Sequence, residues 1–164
     1  MPSTKPATDL TARASTLSRL RQLSHVLDNA IPIPGVGRIG LDPILGVLPG
    51  GGDLLTGAIS VYVVFEAARL GVPAATLGRM GFNILLDVLS GTVPLLGDLV
   101  DVAWKANARN VTLLEQHIAN PRESGRADKI FAVVLIVALV ALIVAVASLS
   151  VFVVRGLLSL ISQV

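Results

Sequence analysis

The feature that most constrains the fold is an uninterrupted apolar stretch near the carboxyl end. Residues 130–154 contain no charged side chain. As a helix, this stretch extends about 38 Å at 1.5 Å per residue, and the hydrocarbon core of a bilayer is only ~30 Å thick. We therefore predict a tilted transmembrane helix over 130–155 and a short tail over 156–164. Its small residues Ala138, Ala141 and Ala145 are spaced to pack against a neighbouring helix.

The composition of the whole chain supports a lipid-facing surface. Hydrophobic residues make up 53% of the chain and charged residues 15%, with a mean hydropathy of +0.77. A soluble domain carries about 25% charged residues, so part of this surface is expected to face lipid. The net charge of +2 and the scarcity of aromatic residues argue against nucleic acid as a partner. The absence of cysteine excludes disulfides and thiolate chemistry.

The amino-terminal part is polar and then amphipathic. Residues 1–8 are predicted to be disordered, and residues 9–29 to form a helix with an apolar stripe and a basic polar side. That helix either lies on the membrane surface or packs on the rest of the protein. Residues 31–40 contain two prolines and three glycines, so they are predicted to be extended or turned.

The middle of the chain is predicted to hold three helices and a loop. Two apolar helices, 53–70 and 74–91, are joined by Gly71-Val72-Pro73 and favour a membrane hairpin. A more polar helix is predicted over 97–117, and residues 119–129 are predicted to form a polar loop.

An internal duplication covers residues 41–54 and 86–99. Laid over each other without a gap, the two segments share a Leu-Asp pair, a glycine, a proline and a Gly-Asp-Leu string. The shared positions are Leu41/Leu86, Asp42/Asp87, Gly46/Gly91, Pro49/Pro94, Gly52/Gly97, Asp53/Asp98 and Leu54/Leu99. Each copy has the form of an apolar helix, a break and a second helix. The predicted fold class is therefore an all-α integral membrane bundle, residues 31–118, with two repeated broken-helix, re-entrant-like hairpins and one carboxyl-terminal transmembrane helix.

The aspartates of this repeat are candidates for a polar or ion site. Asp42, Asp53 and Asp98 stand where helices begin, so they can be N-caps, ligands or both. Asp101 is spaced to form an ion pair with Lys105. These carboxylates, with the break residues Pro49, Gly52, Pro94 and Gly97, place oxygen ligands near irregular backbone.

Asp87 differs from the other aspartates because no helix starts beside it. With Asn83, it forms part of a polar stripe on an otherwise apolar helix, and an ionisable group in such a place usually faces a partner or a water path. The two histidines, His25 and His117, lack metal-ligand spacing and are assigned to interfaces. No metal or cofactor is predicted.

The string Arg38-Ile-Gly-Leu-Asp-Pro-Ile-Leu-Gly-Val-Leu-Pro-Gly-Gly-Gly-Asp53, followed by Pro94-Leu-Leu-Gly-Asp98, resembles a family of small membrane proteins. This family is known as domain of unknown function 4112. The resemblance covers roughly residues 20–118 and leaves the carboxyl-terminal helix outside. It implies a membrane domain and assigns no activity.

Two functions follow from these patterns. The first is a non-catalytic membrane protein that organises the membrane or binds a partner. The alternative is an oligomeric channel or transporter for protons or for monovalent or divalent cations, which uses the aspartates at the helix breaks. We expect the lipid bilayer and a second copy of the chain as partners, and no enzymatic activity. The basic residues near the amino end and before the last helix predict a cytoplasmic membrane location with the amino terminus inside.

Overall fold

The computed structural model describes residues 7–29, 31–33, 37–39, 51–91, 105–121 and 123–162. These residues form five helices and one short β-hairpin. The helices are α1 (Ala7–Asn29), α2 (Gly51–Arg69), α3 (Ala74–Gly91), α4 (Ala106–Ala119) and α5 (Arg126–Ile161). The strands β1 (Ile31–Ile33) and β2 (Gly37–Ile39) pair antiparallel, with Pro32 opposite Arg38. The predicted helical class is confirmed, and within the segment predicted to be extended or turned, residues 31–33 and 37–39 are strands.

The helices pack in three layers. Helix α5 lies on α2 and α3, which in turn lie on α4, and α1 packs on α4 and α2. The central cluster of buried side chains includes Leu20, Val63, Leu77, Met80 and Leu114, each fully buried. The fold is therefore a helical bundle in which α5 forms one outer layer and α1 belongs to the opposite side.

Close approach between α5 and the hairpin of α2 and α3 depends on glycines. A Cβ atom at Gly57 of α2 would lie 2.7 Å from Cδ1 of Ile143, and one at Gly81 of α3 would lie 2.8 Å from Cδ1 of Leu135. Three residues earlier in α3, Gly78 faces the ring of Phe131. Since Gly78 and Gly81 of α3 face positions of α5 that follow in the same order, α3 runs parallel to α5.

The residues of α5 that enter this interface differ from the predicted ones. Ala132, Leu139, Ile143 and Ala147 are buried, whereas the predicted strip of Ala138, Ala141 and Ala145 is exposed. The prediction placed the small residues on α5 itself. In the structure the partner helices supply the glycines, so α5 can bring larger side chains to the contact.

The apolar stripe of α1 is used inside the protein. Leu20 and Leu27 are buried, and Leu17 and Leu23 pack against the core cluster. Of the two interpretations of this helix, the structure shows packing on the rest of the protein. The basic polar side, with Arg19 and Arg21, faces outward.

Several predicted boundaries are wrong. Helix α5 begins at Arg126, inside the predicted loop 119–129, and continues to Ile161, through most of the predicted tail. Polar residues can form its first turn because Asp128 accepts hydrogen bonds there. Helix α2 begins at Gly51, two residues before its predicted start at Asp53, so Gly52 and Asp53 lie within its first turn. Helix α1 begins at Ala7, two residues before its predicted start.

Within the described residues, α5 is the one helix long and apolar enough to cross a membrane. Its 36 residues extend about 54 Å. Helices α2 and α3, predicted to cross as a hairpin, do not meet the same test. Both contain ionisable residues within their length, including Glu66, Arg79 and Asp87.

Candidate functional site

The outward face of α5 is the largest apolar feature among the described residues. Only 22% of its most apolar 18-residue window is buried, and Val133, Val134 and Val137 are each more than 60% exposed. A core helix of a soluble protein is mostly buried, and soluble monomers rarely expose such a long apolar patch. The apolar stretch is bracketed by Lys129 and Arg155, both exposed. This arrangement is typical of a membrane-spanning helix with charged ends.

Helix α3 adds apolar side chains beside α5. Phe82, Leu85 and Leu89 are exposed and are spaced by three and four residues, so they lie on one face of α3. Leu85 follows Gly81 by one helical turn, and Gly81 contacts α5. The apolar surface of α5 therefore continues onto α3.

Basic side chains lie at one end of the bundle, beside the acidic Glu66 and Asp128. The backbone N–H of Ala74, after the turn between α2 and α3, donates to Oδ1 of Asp128 at 2.9 Å. This bond places the turn beside the start of α5. Four basic residues share this basic end, namely Arg13, Arg69, Arg126 and Lys129.

Arg69 and Arg79 flank this turn, so they lie at the same end of the bundle as Arg126 and Lys129. The predicted location of the amino terminus on the inner side of the membrane stays a prediction.

A buried polar network joins α1, α2 and α4. Asp28, in the last turn of α1, accepts hydrogen bonds from the backbone N–H of Ala108 at 2.7 Å and from Nδ2 of Asn107 at 3.0 Å. Ser60 of α2 donates to Oδ1 of Asn107 at 2.9 Å. Asp28, Ser60 and Asn107 are all buried. The network therefore satisfies polar groups that would otherwise be costly inside the protein.

Asp28 also serves as the cap of α4. The N-cap residue Lys105 has a left-handed backbone with φ 45° and makes no side-chain cap bond. The first turn of α4 therefore takes its acceptor from α1. Burial raises the pKa of Asp28, and the hydrogen bonds from Ala108 and Asn107 lower it in part.

A second pair of asparagines links α4 to α3. Nδ2 of Asn83 donates to Oδ1 of Asn110 at 2.8 Å, and Nδ2 of Asn110 donates to the carbonyl of Met80 at 3.2 Å. Asn110 is fully buried. Asn83 thus takes part in interhelical packing.

The predicted ion-site residues fall into three groups. Asp87 and Asn83 are half-buried and lie one turn apart on α3. Of Asp53, only the backbone position in α2 is described. The remaining candidates lie outside the described residues, namely Asp42, Asp98, Asp101, Pro49, Pro94 and Gly97. The assembly of these aspartates into one site stays a prediction. Within the described part of the chain, no three His, Cys, Asp or Glu side chains group as metal ligands.

The two histidines occupy different environments. His25 is exposed on α1, whereas His117 is buried in the last turn of α4. Burial and the nearby charge of Arg13 lower the pKa of His117, although a hydrogen bond with the backbone of Leu70 raises it in part. The predicted interface position is confirmed for His117.

Sequence reasoning missed Asp28, Asn107 and Asn110. All three lie outside the repeat, which contains most of the predicted polar site. The available signal was the spacing of the asparagines, three apart beside the apolar Val111 and Leu114, which places both amides on the buried face of α4. No local pattern links Asp28 to them, because the contact joins residues about 80 positions apart.

The fold and this surface define a helical bundle carrying one long, outward-facing apolar helix. The family model described as "Domain of unknown function (DUF4112)" matches residues 16–118. The chain therefore belongs to the DUF4112 family, as its repeat strings indicated, and α5 lies outside the family segment. Comparison with curated proteins found no match, and comparison with solved structures found none.

Proposed function

We propose that this is a small, non-catalytic integral membrane protein whose α5 crosses the bilayer and holds the helical bundle at the membrane, where the bundle organises lipid or binds a partner. The observation that carries the proposal is the outward face of α5. Its apolar stretch is long enough for the hydrocarbon core, and its large side chains remain exposed where the bundle does not cover them. Contact with lipid would remove this apolar surface from water.

The orientation follows from the charge distribution. Cytoplasmic loops and helix ends carry an excess of lysine and arginine. The basic end, with Arg13, Arg69, Arg126 and Lys129, is therefore proposed to lie inside, at the cytoplasmic membrane. Helix α5 then leads the carboxyl end to the outside.

Alkaline carbonate extraction tests the membrane anchor. Wild-type protein is expected to stay in the membrane pellet. Val137 and Val144 are 63% and 50% exposed and lie two turns apart on the outward face of α5. Replacing both by lysine places two charges near the middle of the span, at about 2.5–3.5 kcal/mol each. The double variant is expected to move to the supernatant.

The control places the same charges elsewhere. Gln116→Lys with Ala119→Lys adds two lysines to exposed positions at the end of α4, and this variant should remain in the pellet. Extraction of the wild-type protein by alkali would contradict the proposal. So would equal retention of the Val137→Lys/Val144→Lys variant.

A further inference from the structure

The structure contains a cleft between α3 and α4 whose lining combines positive charge with apolar surface. Its volume is about 570 Å³, within the range of small-molecule sites. Arg79 and Arg109 line it together with Asn83, Thr112 and Phe82, and none of the described residues that line it is acidic. Both arginine side chains are exposed. The cleft is thus complementary to an anionic group beside an apolar one.

The depth of the cleft along α5 corresponds to the depth of lipid headgroups in a bilayer. Gly78 lines the cleft and also faces the ring of Phe131, which lies two residues beyond Lys129 on α5. With α5 across the bilayer, the cleft is therefore at the depth where the apolar stretch begins. That is the level of lipid phosphates and their ester groups.

An apolar track leads away from the cleft along α3. Phe82 belongs to the cleft, and Leu85 and Leu89 continue the same exposed face. Because α3 runs parallel to α5, this track points from the interface toward the middle of the bilayer. Its span from Phe82 to Leu89 is about 10 Å, which suits the upper part of an acyl chain.

We propose that the cleft between α3 and α4 binds one anionic phospholipid, with its phosphate between Arg79 and Arg109 and an acyl chain along Phe82, Leu85 and Leu89. The inference rests on the proposed function, since it assumes that α5 places the cleft at the membrane interface. Arginine suits this role because its planar, always charged guanidinium donates several hydrogen bonds to phosphate oxygens. An acyl chain on the exposed leucines would remove them from water.

Native mass spectrometry of the full-length protein in detergent tests the site. The protein is titrated with phosphatidylglycerol or with phosphatidylcholine of the same acyl chains, and bound lipids are counted. We expect the first phosphatidylglycerol to bind at a concentration about tenfold lower than the first phosphatidylcholine. The Arg79→Gln/Arg109→Gln variant should weaken phosphatidylglycerol binding about tenfold or more. Phosphatidylcholine binding should change little.

Two further variants separate this site from general charge attraction. Arg126→Gln/Lys129→Gln also removes two positive charges near the same interface but leaves the cleft intact, so it should keep the lipid preference. Ala75→Phe adds a ring at an exposed position that lines the cleft and changes no charge. It should displace the lipid, and because Ala75 is exposed it should leave the fold unchanged.

Three results would overturn the site. The first is wild-type-like phosphatidylglycerol binding by both the arginine variant and Ala75→Phe. The second is an equal loss of phosphatidylglycerol binding in the Arg126→Gln/Lys129→Gln control. The third is displacement of the lipid by millimolar inorganic phosphate. The last would identify a site for free phosphate. Carbonate extraction of the same variants measures membrane anchoring independently of lipid binding. Lost lipid preference with intact anchoring leaves the proposed function standing, and an alkali-extractable wild type contradicts that function whatever the lipid titration shows.

Discussion

Asp28 shows how one buried carboxylate can connect two helices. It lies in the last turn of α1, where a helix dipole disfavours negative charge, yet it points at the first turn of α4, where the dipole favours it. Its two hydrogen bonds satisfy the backbone of Ala108 and the side chain of Asn107. The network therefore fixes the register of α1 against α4.

Removing this carboxylate should destabilise the bundle. Asp28→Ala leaves the half-buried N–H of Ala108 and the buried amide of Asn107 without their acceptor, at a cost of about 1–3 kcal/mol for an unsatisfied buried group. Asp28→Asn keeps one acceptor oxygen and should cost less. Unfolding in detergent, followed by circular dichroism, measures both. His25→Ala, at an exposed position three residues away, should change stability by no more than about 0.5 kcal/mol.

The difference in stability between the wild-type protein and Asp28→Asn should depend on pH. Burial raises the pKa of Asp28 above its usual 3.8. The stability contributed by the protonated side chain is therefore fully present below that value and is lost as the pH rises through the raised pKa. The stability of the wild-type protein relative to Asp28→Asn should fall over this window. A pH-independent difference, or one that rises with pH, would contradict the burial of this group.

At the scale of elements, the glycines of α2 and α3 set the distance to α5. Gly57→Ala brings a Cβ within 2.7–2.8 Å of three side-chain atoms of Ile143, and such overpacking costs about 1–3 kcal/mol. Gly81→Ala meets chiefly the flexible end of Leu135 and should cost less. The gain in helix propensity, about 1 kcal/mol, offsets part of each. Thermal unfolding in detergent should rank Gly57→Ala as the less stable of the two.

Gly156 provides the matched control on α5. A Cβ there meets nothing within 4 Å, so Gly156→Ala should be neutral or stabilising by up to about 1 kcal/mol. The pair Gly57→Ala and Ile143→Ala should also be coupled, since trimming Ile143 makes room for the new methyl group. Equal melting temperatures for Gly57→Ala and Gly156→Ala would show that α5 is not seated on α2 as described.

The elements also show where sequence reasoning succeeds and where it stops. The spacing of apolar residues predicts α1, and the length of apolar segments with Pro and Gly between them predicts α2, α3 and α5, because these are local signals. Charge did not mark the ends of α5, since polar side chains can continue a helix beyond the apolar stretch at both ends. The partners against which each helix packs are harder to predict from the sequence. The small-residue strip of α5 was assigned to an interface, although the glycines that allow close approach lie on other helices.

At the scale of the whole molecule, the two sides of the bundle have different character. The α5 side presents exposed valines, leucines and phenylalanines, and the α1 side presents Arg19, Arg21 and Gln22. Arg21 forms an ion pair with Glu115 across to α4, and Arg19 lies over the ring of Tyr62 at 5.7 Å. This asymmetry favours a bundle that contacts lipid on one side and presents a polar surface on the other.

The candidate site was predictable only in part. The apolar length of α5 could be read from the sequence, because a membrane span is a property of consecutive residues. The lipid cleft could not, since Arg79 and Arg109 belong to different helices and line one cleft only because α3 packs on α4. The common location of the turn and the start of α5 likewise depends on one long-range bond, from Ala74 to Asp128.

Cysteine labelling across the membrane tests the central claim most directly. The chain contains no cysteine, so single cysteines can be introduced without background. Ala127 and Ser159 are exposed near the two ends of α5 and lie about 48 Å apart along the helix. In sealed, oriented vesicles, a membrane-impermeant maleimide should label Ala127→Cys only from the cytoplasmic side and Ser159→Cys only from the opposite side. Labelling of both cysteines from the same side would contradict a membrane-crossing α5.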